Sequence, residues 1–441
     1  MRVLLIQAPL GRAYRNVFPY GLCCLASVLK PAHEVMIFDP NVVSDWKPEI
    51  KTRVERFRPE VIGVSLRNID TVRENVPLLF HLAFRELLTW LKGIAPEIPL
   101  IAGGPGFSLF PEEIMERSPE IDFGVFLEGE ESLPELLNSL DRSHLVPGIF
   151  YRSSGEIRFS GQRPAPDMAS LPRVDRSLVD NRPYTALPYD IGVESKRGCG
   201  LCCAYCSYPH LNGQRVRLRP PGEVAEEIED LVRRYQLTSF SFIDPVFDLP
   251  KEHCLAVCEE IIRRDLKVDW TAWFNGKEFD RELLLLAARA GCRLFSFSPD
   301  GYTDRALRGL HKHLGRKDIV RIYRLFRKYG QGLKLTLNFF GNSPDIRLLD
   351  FIRTLLFCAR VKIFLSHGLQ RVGMDYIRIL PRTELHQIAL RKGVLTAESD
   401  LLPDHPDGFK RLFYHEPGAP WVDPLFRWFD HWQGRGYAKD S

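Results

Sequence analysis

Short apolar runs alternate with amphipathic stretches over the first 140 residues of the chain. The runs predict buried β-strands, and the stretches between them repeat apolar residues at helical spacing. Five strands are predicted, at Val3–Gln7, Glu34–Phe38, Val61–Leu66, Leu100–Ala102 and Phe123–Leu127. Nearly continuous apolar strands separated by helices are typical of a parallel sheet covered on both faces. We therefore expect a doubly wound α/β domain over 1–145, with any ligand at the carboxyl ends of its strands.

The pattern weakens over 146–185, which is rich in Pro, Ser and Asp and is predicted to be a linker crossing a surface. A second series of strands and helices follows, with strands at Ile191–Lys196, Ser239–Ile243, Val268–Trp273, Leu294–Ser298, Lys334–Phe339 and Tyr376–Leu380. Six units are too few for a closed eightfold barrel, so we expect a partial barrel, open along one side, over 186–395.

The C-terminal extension, 396–441, has no clear strand or helix pattern. Aromatic residues concentrate in it: Phe409, Phe413, Tyr414, Trp421, Phe426, Trp428, Phe429 and Trp432. Core packing is the simplest explanation for them, and a cap on the barrel is the alternative.

The bulk composition is that of an ordinary globular protein, since 45% of the 441 residues are hydrophobic and 26% are charged. A net charge of +4 falls well short of the clustered positive field of a nucleic-acid binder, so no nucleic-acid partner is expected. The first apolar run is too short for a signal peptide, and no stretch approaches the ~18 apolar residues of a membrane span. The composition therefore predicts a cytoplasmic protein with no membrane span.

Four of the ten cysteines fall within eight residues, in the segment Gly198-Cys-Gly-Leu-Cys-Cys-Ala-Tyr-Cys206. In a large chain such clustering indicates metal or redox chemistry more than a disulfide framework. The spacing C-x3-C-x2-C follows the first strand of the second series directly, and Gly198 permits a sharp turn there. Three thiolates on a short loop can each hold one iron of a 4Fe–4S cluster, leaving the fourth iron open to an external donor.

Zinc is the alternative metal for these thiols. The pairs Cys199/Cys202 and Cys203/Cys206 each have C-x2-C spacing, and four thiolates suit a closed tetrahedral site. The two pairs of a zinc site are usually separated by a dozen or more residues, whereas these are adjacent. Iron–sulfur chemistry is therefore favoured, with zinc and inert clustering as the alternatives.

With Tyr205 before the last cysteine, the segment resembles the radical SAM superfamily, whose hallmark is C-x3-C-x2-C with an aromatic residue in that position. The resemblance implies a partial (β/α)6 TIM-like barrel and the metal ligands Cys199, Cys203 and Cys206, with no family role for Cys202. It also implies that S-adenosylmethionine (SAM) chelates the open iron. One-electron reduction, from an external flavodoxin- or ferredoxin-type reductant, then gives methionine and a 5′-deoxyadenosyl radical that abstracts hydrogen from a small-molecule substrate.

Polar residues at the carboxyl ends of the barrel strands are candidates for SAM contacts. The cofactor-binding candidates in the barrel are Tyr205, Asp244, Ser296, Asp300 and Asn338. Asp300 is expected at the SAM ribose and Lys312 at its carboxylate, with solvated loop residues as the alternative. The family's glycine–glycine–glutamate motif is not visible. Arg215, Arg217 and Arg219 are expected to be a solvated basic strand, with charge compensation near the cluster as the alternative.

A doubly wound domain ahead of such a barrel resembles the cobalamin-binding subclass of the superfamily, whose first domain is Rossmann-like. The matching segments are Tyr20–Ala26, Val64–Asn68, Ala102–Ser108 and Leu127–Glu131. The cobalamin contacts implied are Ser65, Arg67, Gly103, Gly104, Gly106 and Glu128. The D-x-H-x-x-G motif that supplies a histidine to cobalt is absent, and Arg67 stands where some relatives present a side chain beneath the metal. A vestigial domain that keeps the fold without the cofactor is the alternative.

The function implied by this resemblance is that of a cobalamin-dependent radical SAM methyltransferase, which methylates an unactivated carbon through a 5′-deoxyadenosyl radical and methylcobalamin. A second hypothesis keeps both cofactors and rearranges or cyclises the substrate without methyl transfer. A non-catalytic cobalamin or redox sensor is a hypothesis of another class, and the length of the barrel argues against it. No individual catalytic residue is assigned.

Overall fold

The computed structural model describes residues 1–11, 17–185, 188–365 and 367–426. Within these residues the chain forms two α/β domains, each built on a largely parallel sheet. Trp428, Phe429 and Trp432 of the extension lie outside the described residues. None of the helices in the described part combines the length and the apolar character needed to cross a bilayer.

The first domain is a doubly wound sheet, as the alternating pattern predicts. Its parallel strands are β1 (Arg2–Gln7), β2 (Glu34–Phe38), β3 (Val61–Ser65), β4 (Leu100–Gly103) and β5 (Phe123–Val125), in the order β2-β1-β3-β4-β5. Its helices are α1 (Tyr20–Leu29), α2 (Trp46–Phe57), α3 (Phe80–Ile94), α4 (Pro105–Leu109), α5 (Pro111–Arg117) and α6 (Ser132–Leu137). The order reverses between β1 and β3, which is where sheets of this kind bind ligands.

A hairpin extends the first sheet beyond residue 145. Strand β6 (Ile149–Ser153) pairs antiparallel with β5, and β7 (Glu156–Phe159) pairs antiparallel with β6. Ser154 and Gly155 join them with φ angles of 53° and 83°, the two positive values that suit the twist of a tight hairpin. The segment predicted as a linker therefore supplies one edge of the sheet, and only its remainder crosses to the second domain.

The second domain is a partial barrel of six parallel strands, as predicted. The strands, in spatial and chain order, are β8 (Gly192–Val193), β11 (Ser239–Phe242), β12 (Asp269–Phe274), β13 (Cys292–Asp300), β14 (Lys334–Phe340) and β15 (Leu369–Asp375). Between β8 and β11 lie β9 (Lys196–Arg197), α7 (Tyr208–Leu211), β10 (Arg217–Leu218) and α8 (Pro221–Tyr235). The other barrel helices are α9 (Lys251–Arg263), α10 (Arg281–Arg289), α11 (Asp304–Gly309), α12 (Arg316–Tyr329) and α13 (Leu348–Phe364). In the described residues β8 and β15 are the two sheet edges, so the barrel is open between them.

The sixth barrel strand is not the one predicted. The prediction was Tyr376–Leu380, but the segment that pairs with β14 is Leu369–Asp375. Arg371 and Gly373 interrupt its apolar run, and only its centre is buried, so an edge strand of this kind has a weak hydrophobic pattern. Ile377–Arg378 instead form β16, which pairs antiparallel with β17 (Phe413–Tyr414) of the extension.

The C-terminal extension contacts both domains. It follows α14 (Glu384–Arg391) and contains α15 (Pro406–Lys410). Leu402 packs into the core of the first domain, whereas Phe409, Phe413 and Phe426 pack into the core of the barrel. These aromatic residues are therefore core residues, as expected.

Candidate functional site

The cysteine-rich loop begins just past the end of the first barrel strand. The strand predicted over Ile191–Lys196 is divided into β8 and β9 because the Asp244 carboxylate accepts the backbone N–H of Ser195 (2.7 Å) and of the next residue (3.2 Å). The chain then turns at Gly198, where φ is 90° and a Cβ would overlap the carbonyl oxygen of Arg215. This turn requires glycine, both for its backbone angle and for space.

Three backbone hydrogen bonds hold the loop. The N–H of Cys199 donates to the carbonyl oxygen of Gly213 (3.0 Å). Ala204 donates to the carbonyl oxygen of Leu310 (3.0 Å) and accepts the N–H of Leu385 (2.6 Å). Segments from three different parts of the barrel therefore fix the backbone between the cysteines.

The three predicted ligand thiols lie near one another on this loop. Cys199, Cys203 and Cys206 are partly buried, whereas Cys202 is exposed and has a φ of 48°. The pKa of the Cys206 thiol is raised to about 12, chiefly by burial and in addition by the neighbouring thiols of Cys203 and Cys199. The ammonium group of Lys312 acts in the opposite direction on all three, so one cation lies close to all three sulfurs.

This donor set fits the iron–sulfur cluster expected from the sequence. In the described residues no three Cys, His, Asp or Glu side chains converge on a point that would hold a single metal ion. A 4Fe–4S cluster does not need its ligands to meet at one point, because each thiolate binds its own iron. Three soft sulfur ligands on a fixed, half-buried loop suit such a cluster. The ligand assignment to Cys199, Cys203 and Cys206 stays a prediction, and Cys202 stays without a role.

Two candidate SAM contacts pair with each other. Asp300 ends β13, and its carboxylate lies 2.7 Å from Nζ of Lys312. Their side chains are only 2% and 7% exposed. The hydroxyl of Tyr205 donates to the same carboxylate. The structure thus brings Tyr205, Asp300 and Lys312 together beside the cysteine loop, with the charges of Asp300 and Lys312 matched to each other.

The other barrel candidates differ in their partners. Asp244 is buried, and its carboxylate is occupied by the hydrogen bonds that shape the loop. Ser296 lies on β13 and Asn338 on the adjacent β14. The side-chain oxygen of Asn338 is buried without a hydrogen-bond partner among the described residues, and Gly373 leaves space for it, since a Cβ there would lie 2.9 Å away. An unpartnered buried oxygen near a carboxyl strand end fits a bound polar ligand such as SAM.

A cleft of about 920 Å³ lies in the first domain, where the strand order reverses. Four residues predicted to contact cobalamin line it: Ser65, Gly103, Gly104 and Glu128. Its inner wall is apolar, formed by Leu5, Leu22, Leu25, Val64, Ile101 and Leu133. A large cleft with an apolar interior and a polar mouth fits a bulky, partly apolar ligand such as cobalamin.

Glycine at residue 104 keeps the mouth of the cleft clear. Its φ is 94°, and a Cβ would lie 2.7 Å from both the Leu66 carbonyl oxygen and Oγ of Ser65. Two other residues predicted to contact cobalamin, Gly106 and Arg67, do not line the cleft. Gly106 lets α4 pack closely on Leu66, and Arg67 is exposed.

A buried set of charged side chains joins the cleft to the cysteine loop. We call it the arginine–glutamate cluster, and its members, each at most 14% exposed, are Glu128, Glu130, Arg176, Glu194, Arg197, Arg217, Arg219 and Glu227. Glu128, which lines the cleft, accepts Nη1 of Arg197 and Nη1 of Arg217, each at 2.9 Å. Arg197 also contacts Glu130 (2.6 Å) and Glu194 (2.9 Å). Because Arg197 stands two residues before Cys199, the two sites share these ion pairs.

The sequence analysis did not identify this cluster. The expectation that Arg217 and Arg219 are solvated is wrong, since their side chains are 10% and 8% exposed and each pairs with a glutamate. Arg215 is exposed as expected. The available signal was Lys196-Arg197, two charged residues beside a predicted buried strand, because buried charges require partners. The cluster contains four arginines and four glutamates.

Two family models match the chain. A B12 binding domain matches residues 7–137, which contain most of the cleft. A radical SAM superfamily domain matches residues 193–355, which contain the cysteine loop. The two matches occur in the order that the sequence predicts.

Curated relatives match most of the chain at low identity. A Pyrococcus horikoshii protein named as an uncharacterized methyltransferase is 25% identical over 406 residues, covering 90% of this chain and 84% of the relative. An anaerobic magnesium-protoporphyrin IX monomethyl ester cyclase of Synechocystis sp. is 23% identical over 368 residues, covering 80% and 72%. A tryptophan 2-C-methyltransferase of Streptomyces laurentii is 25% identical, and the match covers 66% of this chain and 59% of that enzyme.

Solved structures have the same fold over almost the whole chain. The radical SAM methyltransferase TsrM from Kitasatospora setae, with tryptophan and a SAM analogue bound, superposes with a TM-score of 0.79 at 23% identity, covering 96% of this chain and 87% of that one. The cobalamin-dependent SAM radical enzyme OxsB superposes with a TM-score of 0.75 at 17% identity, covering 97% and 66%. At these identities the likeness establishes the fold and the order of the two domains.

Proposed function

Because this chain belongs to the radical SAM superfamily and carries a B12-binding domain ahead of its barrel, we propose that it is a cobalamin-dependent radical SAM methyltransferase acting on an unactivated carbon of a small molecule. The observation that carries the proposal is the shared ion pair between its sites. Glu128 lines the cobalamin cleft and pairs with Arg197, two residues before Cys199. Methyl transfer to a substrate radical needs a radical source and a methyl carrier in one enclosure, and this contact places the two sites side by side.

The residues that would hold the cofactors are those of the cysteine loop, the barrel strand ends and the cleft. Cys199, Cys203 and Cys206 would ligate the 4Fe–4S cluster, with Asn338 available to SAM and Ser65 and the glycines of the cleft available to cobalamin. When bound, the cluster with SAM supplies a radical initiator and cobalamin supplies a transferable methyl group.

Lys312 is a cation that acts on all three cysteine thiols, and its own charge is matched by Asp300. Burial alone would lower its pKa, but Asp300 and the thiols of Cys203 and Cys206 hold the pKa of Lys312 above its ordinary value, so it stays charged. The Tyr205 hydroxyl donates to Asp300 and fixes the carboxylate that positions the ammonium group. The buried side chains of Asp300 and Lys312, with the partly buried Tyr205, also keep water away from one side of the loop.

A cavity of about 820 Å³ is the substrate site we favour. It lies at the carboxyl end of β15 and is lined by the first domain (Arg73), the barrel (Asp375, Tyr376) and the extension (Lys410, Phe426). Phe340, the register partner of Asp375, packs against Tyr205 at 5.0 Å between ring centroids. Phe340 therefore connects the strand that lines this cavity with Tyr205 of the cysteine loop.

The test is anaerobic purification and reconstitution, followed by iron, sulfide and cobalt analysis and a visible spectrum. With reductant and SAM we expect both S-adenosylhomocysteine and 5′-deoxyadenosine, because one SAM donates a methyl group and another supplies the radical. Cobalamin without iron, or zinc alone, would contradict the proposal.

Cys203→Ala should abolish 5′-deoxyadenosine formation and leave cobalamin binding intact, since the cleft contains no part of the cysteine loop. The measurements are chromatography of the SAM products and the cobalamin spectrum. Cys202→Ala is the matched control, and its iron content and SAM cleavage should equal those of the wild type. Unchanged cleavage in Cys203→Ala would refute the ligand assignment.

A cyclisation without methyl transfer is the second candidate, and the cyclase relative that covers 80% of the chain favours it. The same SAM assay separates the two functions. A cyclase would form 5′-deoxyadenosine without S-adenosylhomocysteine, and its product would carry no added methyl group.

A further inference from the structure

We propose that a basic groove beside the cysteine loop docks the acidic one-electron carrier protein that reduces the cluster. The groove has an empty volume of about 1350 Å³ and lies between α11, the loop 344–347 and α14. The inference rests on the proposed function, because it presupposes a cluster that is reduced from outside the chain.

The groove carries a net positive charge. It is lined by the cations Arg305, Arg308, Arg347, Arg391 and Lys392 and by the carboxylates of Asp345 and Glu384, which sum to +3 with His311 neutral. Two further carboxylates that pair with these cations, Asp350 and Glu416, bring the sum to +1. Three of the cations are matched: Arg305 pairs with Asp350 (3.7 Å), Arg391 with Glu384 (2.7 Å), and Lys392 with both Asp345 (2.8 Å) and Glu416 (2.7 Å). Arg308 and Arg347 are exposed and form no ion pair with any described residue. These two guanidinium groups are the charges available to a partner.

Two backbone hydrogen bonds attach the groove to the cysteine loop. Ala204 donates to Leu310 and accepts from Leu385. The residues on both sides of Leu310, and the residue before Leu385, line the groove. The ring of His313 also contacts the carbonyl oxygen of Leu201 within the loop, at 2.5 Å. The groove and the cysteine loop are therefore built on the same backbone contacts, at Leu310 and Leu385.

Charge and position together identify the partner. The step is a transfer of one electron, in which the reduced carrier is oxidised and the cluster is reduced, and no atom or proton needs to move. A carrier of the flavodoxin or ferredoxin type with a negative surface complements the groove and would be steered to it. A nucleic acid would need a longer basic track than two unmatched arginines.

The experiment compares two double variants of the reconstituted holoenzyme. Arg308→Glu/Arg347→Glu reverses the charge of the groove. Arg324→Glu/Arg353→Glu is the matched control, since both arginines are exposed on α12 and α13 and form no ion pair with described residues. Reduction of the cluster by reduced flavodoxin is followed anaerobically by stopped flow. We expect the groove variant to be slower by about ten-fold at low ionic strength, the control to be close to the wild type, and added salt to slow the wild type.

Reduced methyl viologen, a small cation that needs no protein interface, gives the second measurement. The groove variant should be reduced by it at least as fast as the wild type.

An unchanged rate with flavodoxin, or equal slowing of the control variant, would overturn the inference. Loss of oligonucleotide binding without loss of flavodoxin reduction would assign the groove to a nucleic acid and overturn it as well. A wild-type protein that takes up no cluster would overturn the proposed function too, whereas a loaded cluster with groove-independent reduction would overturn this inference alone.

Discussion

Two glycines at the ends of the cysteine loop share a backbone conformation but differ in their surroundings. Gly198 has a φ of 90° and Gly213 a φ of 76°, both in the left-handed region. A Cβ at residue 198 would overlap the carbonyl group of Arg215, whereas no atom lies within 4 Å of a Cβ at residue 213. The two positions therefore separate the effect of backbone strain from that of a steric clash.

Gly198→Ala should lower the iron content after reconstitution, because the clash displaces the chain directly before Cys199. Gly213→Ala, the matched control, should cost about 1–2 kcal/mol of unfolding free energy from backbone strain alone and retain its iron. Gly198→Ala should cost more than that. Iron analysis and urea unfolding of the two variants measure both effects. Equal iron content in the two would show that the turn at residue 198 does not position the thiols.

At the scale of single residues, the sequence predicts the cysteine loop well but not the charged side chains around it. The spacing of the cysteines and the turn at Gly198 are local, so they are visible in a short segment. The partners of Asp300 and Glu128 are not, because Lys312 and Arg217 reach them only once the barrel and the first domain have folded. Both carboxylates were expected to face cofactors, and each forms a buried ion pair.

The arginine–glutamate cluster is where three elements meet, namely β9, β10 and α8. Glu194, just before β9, is the member of the cluster whose negative charge is balanced least by the neighbouring arginines. Burial raises the pKa of Glu194 to about 7, although Arg197 acts to lower it. The folded protein therefore binds a proton at this residue over a range of pH in which the unfolded chain, with an ordinary glutamate pKa of ~4.3, has released it.

This difference predicts a pH dependence of stability. The Glu194 contribution is fully present below about pH 4.3 and is lost as pH rises towards 7. Glu194→Gln has no such titration, so its unfolding free energy relative to the wild type should rise by up to about 3 kcal/mol across this interval. Urea unfolding at several pH values tests this. Glu259→Gln, at an exposed position on α9, is the control. The difference between its unfolding free energy and that of the wild type should not change with pH. The same pH-independent difference for Glu194→Gln would contradict the raised pKa of Glu194.

The elements themselves were predictable where their pattern was strong. Every parallel strand of the first sheet was found. The inner strands are buried and nearly continuously apolar, and the half-exposed edge strand β2 still has the apolar run Val35–Phe38. The hairpin at Ile149–Phe159 and the edge strand at Leu369–Asp375 were missed. Each is partly exposed and interrupted by polar residues, and the pairing that stabilises it is with a strand elsewhere in the chain.

On the scale of the whole molecule, a buried ion pair joins the first domain to the segment after the last barrel strand. Nε of Arg378 lies 3.2 Å from Oδ2 of Asp70, and the two side chains are 2% and 3% exposed. Arg378 also donates to the carbonyl oxygen of Leu401 (2.8 Å), in the extension. One guanidinium group therefore contacts the first domain and the C-terminal extension at once.

Arg378→Met should cost about 3–5 kcal/mol of unfolding free energy, because it leaves the carboxylate of Asp70 buried without a counter-charge. Asp70→Asn/Arg378→Met removes that charge and should be more stable than the single variant. Arg233→Met, which breaks the exposed ion pair of Arg233 with Asp230, should cost less than about 1 kcal/mol. Urea unfolding measures all three. A double variant less stable than Arg378→Met would mean that the pair is not what couples the domains.

The walls of the cleft proposed for cobalamin come from distant parts of the polypeptide. Ser65 and Gly104 belong to the first domain, which we call its floor, whereas Glu194, Arg197 and Asn212 come from the barrel and form its roof. Residue 104 lies where the floor meets the mouth. A ribosome makes the floor first, and domains fold in the order of their synthesis. A nascent chain therefore exposes a wide half-pocket before its roof exists. The cleft is therefore complete only after the barrel segments that carry Glu194, Arg197 and Asn212 have been made and have folded onto the first domain.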